Sequence, residues 1–213
     1  MSKKNTLENK KSRKLERELI AYSLAAGTVL LGAAGASAAI HHTDLGAGVV
    51  LDTDGASLDI DFDGGGAEFN IFFSTATDQV NVQAETASAS WRGTTSTASA
   101  LDNGAEVNTG ANWGRRTTGN GGNLAYYWSS AWTGGDFIGT SDKYIGVKFD
   151  IGGDTLYGWI QVQVPADSTS ATITGYAYND VDDGSITAGQ VPEPASLALL
   201  ALGAAGIAAW RKK

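Results

Sequence analysis

Asp59-x-Asp61-x-Asp63-Gly64 is the densest set of chemistry-bearing residues in the chain. Alternate carboxylates before a glycine match the opening half of an Asp-rich calcium loop. There the carboxylates converge on a hard cation and glycine permits the sharp turn. Glu68 stands close enough in sequence to close such a site, and Asp52-x-Asp54-Gly55 lies just upstream. An EF-hand loop ends on glutamate, whereas the corresponding position here is Asn70. The expected ligands are Asp59, Asp61, Asp63 and Glu68, with calcium as the cofactor. The competing reading is a strand whose carboxylates form a solvated face.

A second group is aromatic. Trp91, Trp113, Tyr126, Tyr127, Trp128 and Trp132 lie in a polar stretch rich in Ser, Thr, Gly and Asn. Rigid rings flanked by hydrogen-bonding side chains suit a sugar face, which makes Trp91, Trp113, Trp128 and Trp132 candidate glycan-binding residues. The alternative is that they pack a core. His41 and His42 are the only histidines, and neighbours on an extended chain point apart. A mature chain beginning Ala39-Ile40-His41 would offer an amine, two amides and an imidazole to Cu(II) or Ni(II). No nucleophile elbow or zinc-protease helix motif occurs, and the chain has no cysteine. No catalytic residue is expected, and the chain is read as a non-enzyme.

The elements that must position these residues are strands. Leu58, Ile60 and Phe62 alternate with Asp59, Asp61 and Asp63, and Phe69, Ile71 and Phe73 repeat the period after Gly64-Gly65-Gly66. Ile145, Val147 and Phe149 follow the same rule. Leu156, Ile160, Val162 and Val164 share one parity, while Tyr157, Trp159, Gln161 and Gln163 share the other. Ala171 to Tyr178 alternates as a further strand, whereas residues 84–142 alternate weakly, as long loops, an insertion or irregular strands would. Residues 39–190 are therefore expected to form an all-β domain, an antiparallel β-sandwich or jelly roll. Within that segment five basic residues face nineteen acidic ones, a balance of −14. Such charge repels nucleic acid and anionic lipid, so neither is an expected partner.

The two ends differ from the middle. Residues 1–18 hold seven Lys and Arg, an apolar run follows from Leu19 to Gly35, and Ala36-Ser37-Ala38 has the small-x-small form of a signal-peptidase site. Residues 1–38 are read as a signal peptide with a signal helix, cleaved after Ala38. At the other end Val191-Pro192-Glu193-Pro194 precedes sixteen apolar or small residues, Ala195 to Trp210, and then Arg211-Lys212-Lys213. As a helix the apolar run spans about 24 Å, short of a ~30 Å hydrocarbon core. It suits a temporary stop better than a durable anchor, and the basic end holds the C-terminus on the cytoplasmic side.

The Pro-Glu-Pro, the Leu/Ala/Gly-rich span and the Arg-Lys-Lys end together resemble the PEP-CTERM sorting signal of Gram-negative bacteria. That resemblance implies a membrane transpeptidase, exosortase, as partner of Pro192, Glu193 and Pro194 in residues 191–213. It also implies transient membrane contact through a transmembrane sorting helix, export across the inner membrane, and a destination at the cell surface or in the extracellular matrix. Such systems accompany exopolysaccharide production, so the expected role is structural or adhesive, with extracellular polysaccharide as a further partner. The alternatives are a carbohydrate-binding module, which needs exposed coplanar rings in 91–132, and a glycan-active enzyme, which needs two carboxyls about 5–9.5 Å apart in a cleft.

Overall fold

The computed structural model describes residues 39–75, 79–117, 121–129 and 132–193. The expected signal peptide and the apolar tail lie outside them, as does Pro194. In chain order the strands are β1 (Ile40–Leu51), β2 (Ser57–Ile60), β3 (Phe69–Ser74), β4 (Gln79–Ala84), β5 (Ser90–Arg92), β6 (Ala100–Leu101) and β7 (Glu106–Val107). They continue as β8 (Trp113–Gly114), β9 (Gly122–Ser129), β10 (Trp132–Gly134), β11 (Thr140–Ile151), β12 (Asp154–Val164), β13 (Ala171–Asn179) and β14 (Ile186–Thr187). Among the described residues there is no helix, and so none long and apolar enough to cross a membrane.

The strands build two facing sheets and a small ribbon. The larger sheet runs β1-β13-β12-β11-β5-β8, with β6 also paired to β11. The second runs β10-β9-β4-β3-β2, and β14 pairs with β7. Every strand pairing is antiparallel. Consecutive strands β2-β3-β4 and β11-β12-β13 stay within one sheet, so the sandwich is made of meanders rather than of a jelly roll. The weakly alternating stretch 84–142 is part of the fabric: β5, β6 and β8 extend the first sheet, and β9 and β10 extend the second.

Period-two alternation explains the main core. Ile60, Phe69, Ile71, Phe73, Val80 and Val82 point inward from the second sheet. Ile145, Val147, Phe149, Ile160, Val162 and Ile173 meet them from the first. The other face of the first sheet is also covered. Leu101, Val107, Tyr144, Tyr157, Trp159 and Ile186 form a second apolar cluster, roofed by the β7–β14 ribbon.

β13 changes faces partway along. Val162 pairs with Ile173 but Gln161 pairs with Gly175, leaving Thr174 as an extra residue. Ile173 therefore faces the main core, while beyond the bulge Tyr176 and Tyr178 pack there and Ala177 turns to the second cluster.

Candidate functional site

β2 ends at Ile60, so Asp61 to Glu68 form the loop of a hairpin. The expected stripe of three aspartates on one strand does not exist. Asp59 alone is in the strand, and its Oδ1 accepts a hydrogen bond from Asn70 Nδ2 at 2.6 Å. Asp61, Asp63 and Glu68 are brought together instead. One carboxylate oxygen from each lies within 4.8 Å of the others. Calcium–oxygen bonds of about 2.3–2.6 Å put opposed ligands roughly 5 Å apart, so the spacing admits one such cation.

The loop holds these groups firmly. Asp61 Oδ1 accepts from Gly64 N–H at 2.6 Å and from Asp63 N–H at 3.2 Å, and Asp63 Oδ1 accepts from Gly65 N–H at 2.7 Å. Gly64 makes the reversal at φ +80°. Glu68 is only 5 % exposed, and its Oε2 accepts from Phe62 N–H at 2.9 Å. Phe62 is stacked on Phe149 at 4.4 Å, so the glutamate is fixed to the core. Burial pushes the Glu68 carboxyl above its ordinary value. The Phe62 N–H opposes this, and the charges of Asp63 and Asp61 add to it. The same acidic loop helps to raise the Tyr178 hydroxyl, after burial and Asp180.

The tryptophans are placed very differently from one another. Trp91 is closed off from solvent in the main core, with its indole N–H donated to Thr94 O at 2.9 Å. Trp113 is half-buried against Tyr157, with the Lys148 ammonium 5.4 Å from its ring centre. Trp128 lies in β9 and Trp132 in β10, and their side chains fall outside the described residues.

His41 and His42 point to opposite faces, as an extended chain requires. His41 stacks on Tyr178 at 4.7 Å, and its Nε2 is 3.3 Å from Asp180 Oδ2. Asp180 Oδ1 also accepts from Ala39 N at 2.8 Å. Ile40 and His41 are taken up in the ladder with β13, so a planar copper chelate there would have to displace this pairing.

His42 belongs to a feature that the sequence did not disclose. On the covered face of the first sheet, a cleft of about 360 Å³ is lined by His42, Asp44, Tyr144, Trp159, Gln161 and Gln163, with Thr174 also on its wall. Gly189 and Val191 complete one end. The matched parity of Trp159, Gln161 and Gln163 was visible in the sequence, but the pairing that brings β1 beside them was not. Just past the cleft, Trp159 donates its indole N–H to Gln190 O at 3.1 Å, and Pro192 and Glu193 are exposed.

Residues 190–213 match the family model of the PEP-CTERM protein-sorting motif. No curated protein and no solved structure matches the chain. The motif implies export, handling by an exosortase-type system and a place at the cell surface or outside the cell.

Proposed function

We propose that this sandwich, delivered by a PEP-CTERM sorting signal, is a structural and adhesive protein of the cell surface or extracellular matrix, associated with exopolysaccharide and not itself an enzyme. The observation that carries the reading is the junction. The sorting match begins at Gln190, the residue that Trp159 fastens to the sandwich, so the sorted cargo is a closed β domain. Two further points support a non-catalytic role. Asp61, Asp63 and Glu68 converge in a hairpin loop rather than in the cleft, and among the described residues Asp44 is the one carboxylate on the cleft's lining, with Asp142 set behind Gln161. Most glycosidases use a facing pair.

In this reading residues 1–38 are removed by signal peptidase, and Ala195 to Trp210 stop the chain in the membrane while Pro192-Glu193-Pro194 is read. Calcium bound by Asp61, Asp63 and Glu68 braces the acidic hairpin outside the cell.

The test uses the full chain in a polysaccharide-producing bacterium that has an exosortase. Wild-type protein should lose its tail by intact mass, and it should leave the matrix fraction when the polysaccharide is digested. Changing Pro192, Glu193 and Pro194 together to alanine should leave an uncleaved form in the inner membrane. Identical masses for the two chains would refute processing at the motif. Wild-type protein indifferent to polysaccharide digestion would refute the matrix association.

A further inference from the structure

The cleft on the first sheet has a built architecture. Strand register aligns Asp44 on β1, Gly175 on β13, Gln161 on β12 and Tyr144 on β11 in one row. The next row is His42, Ala177, Trp159 and Gly146. Side chains in a row share a face, so small residues on β13 between larger neighbours leave a trough. Backbone packing keeps it open. A Cβ on Gly175 would stand 2.8 Å from Thr43 O and 3.5 Å from His42 Nε2.

The lining is prepared for a polar guest. Asp44 Oδ1 accepts from Gly46 N–H at 2.8 Å, and Gln161 Nε2 donates to Asp142 Oδ1 at 3.3 Å. Both side chains are thereby held in place with acceptor oxygens to spare. Gln163, two residues along β12, adds a second partly exposed amide to the same wall. His42 supplies an exposed ring, backed at 5.6 Å by the buried Trp159 indole.

We propose that this cleft binds one residue of a neutral saccharide, its hydroxyls held by Asp44, Gln161 and Gln163 and its C–H face set against the His42 ring. The proposal rests on the polysaccharide association above and gives it a site. A sugar ring combines donors, acceptors and an apolar face, as this lining does. The size suits one ring, since small-molecule clefts start at about 300 Å³. Anionic sugars are disfavoured by Asp44, Asp142 and the −14 balance of residues 39–190.

Saturation-transfer NMR on the full chain in a zwitterionic detergent would test this, with the methyl glycosides of glucose, galactose and mannose as probes and choline as the cationic control. At least one glycoside should receive transfer, and Gln161→Ala should weaken its binding at least tenfold. Gln163→Ala removes the second amide of the wall. It should weaken glycoside binding while leaving the melting temperature near that of wild type, which a loss of fold would not do. Transfer to choline alone would overturn the ligand class. Undiminished glycoside binding in both variants would overturn the cleft as the site. No transfer to any glycoside, in a protein still released from the matrix by polysaccharide digestion, would overturn the cleft and leave the matrix association standing.

Discussion

Replacing Trp91 by alanine should cost about 3–5 kcal/mol of stability, the range for removing a large buried ring. For a domain of this size that is a fall of about 6–20 °C in melting temperature. Trp91 is 0 % exposed and pairs with Val147 on β11 and Gly114 on β8. Its ring lies so close to β9 of the other sheet that a Cβ on Gly122 would stand 2.5 Å from it. The indole thus spans the sandwich, and its N–H bond to Thr94 O ties down the loop beside β5. Trp91→Phe should recover part of the loss while still lacking that bond, worth about 0.5–1.5 kcal/mol. Thermal unfolding by circular dichroism checks both. A Trp91→Ala protein that melts like wild type but loses glycan affinity would make the indole a surface group and contradict the packing described.

Calcium should raise the melting temperature by about 5–10 °C at a hundredfold excess over Kd, which corresponds to about 2.7 kcal/mol. The acidic hairpin sets the sign of the pH dependence. Glu68 titrates above its ordinary value when folded, chiefly through burial, with Asp63 and Asp61 adding to it. A raised carboxyl binds its proton more tightly in the folded chain. In chelator, the resulting cost to folding is absent below the ordinary carboxylate range, grows as pH rises toward the raised value, and is complete above it. Calcium removes that cost by neutralising the charge, so its benefit should shrink on acidification as the ligands protonate. Glu68→Gln should melt higher than wild type in chelator at neutral pH and gain little from calcium. Asp59→Asn should leave the calcium gain intact, because Asp59 is engaged with Asn70. Identical wild-type melting curves in calcium and chelator would refute the site.

The legible parts of the fold were those governed by alternation. Phe69, Ile71 and Phe73 face the core as their spacing requires, and the glycines after Asp63 do turn the chain. Alternation misled where a strand stopped early. Phe62 keeps the apolar parity of Leu58 and Ile60, yet it lies beyond β2 and is buried by stacking on Phe149. The same early stop separates Asp59 from Asp61 and Asp63. Tyr176 and Tyr178 reach the main core only because Thr174 is bulged, and nothing in the local sequence distinguishes that bulge from a plain strand. The cleft was hidden for a related reason. It depends on β1 lying against β13, a pairing across some 130 residues that single-chain periodicity does not encode. Ser, Thr and Gly in 84–142 concealed short strands because each is fixed by its neighbours rather than by its own propensity.

The fastening of Gln190 to Trp159 has a mechanical side. Only Val191 separates Gln190 from the motif, a reach of about 7 Å from one alpha carbon to that of Pro192. A pull on the C-terminal side therefore reaches the sandwich with almost no slack. It loads the Gln190 contact, then β14, whose pairing with β7 is two residues long, Ile186 with Val107 and Thr187 with Glu106. The long β11–β12–β13 ladders lie behind it. Single-molecule stretching from Glu193 should give a small early release, the ribbon yielding before the sandwich, and a single event at full domain length would show instead that load is shared from the start. A protein held at a surface by this end would have a short extensible element in series with a stiff one.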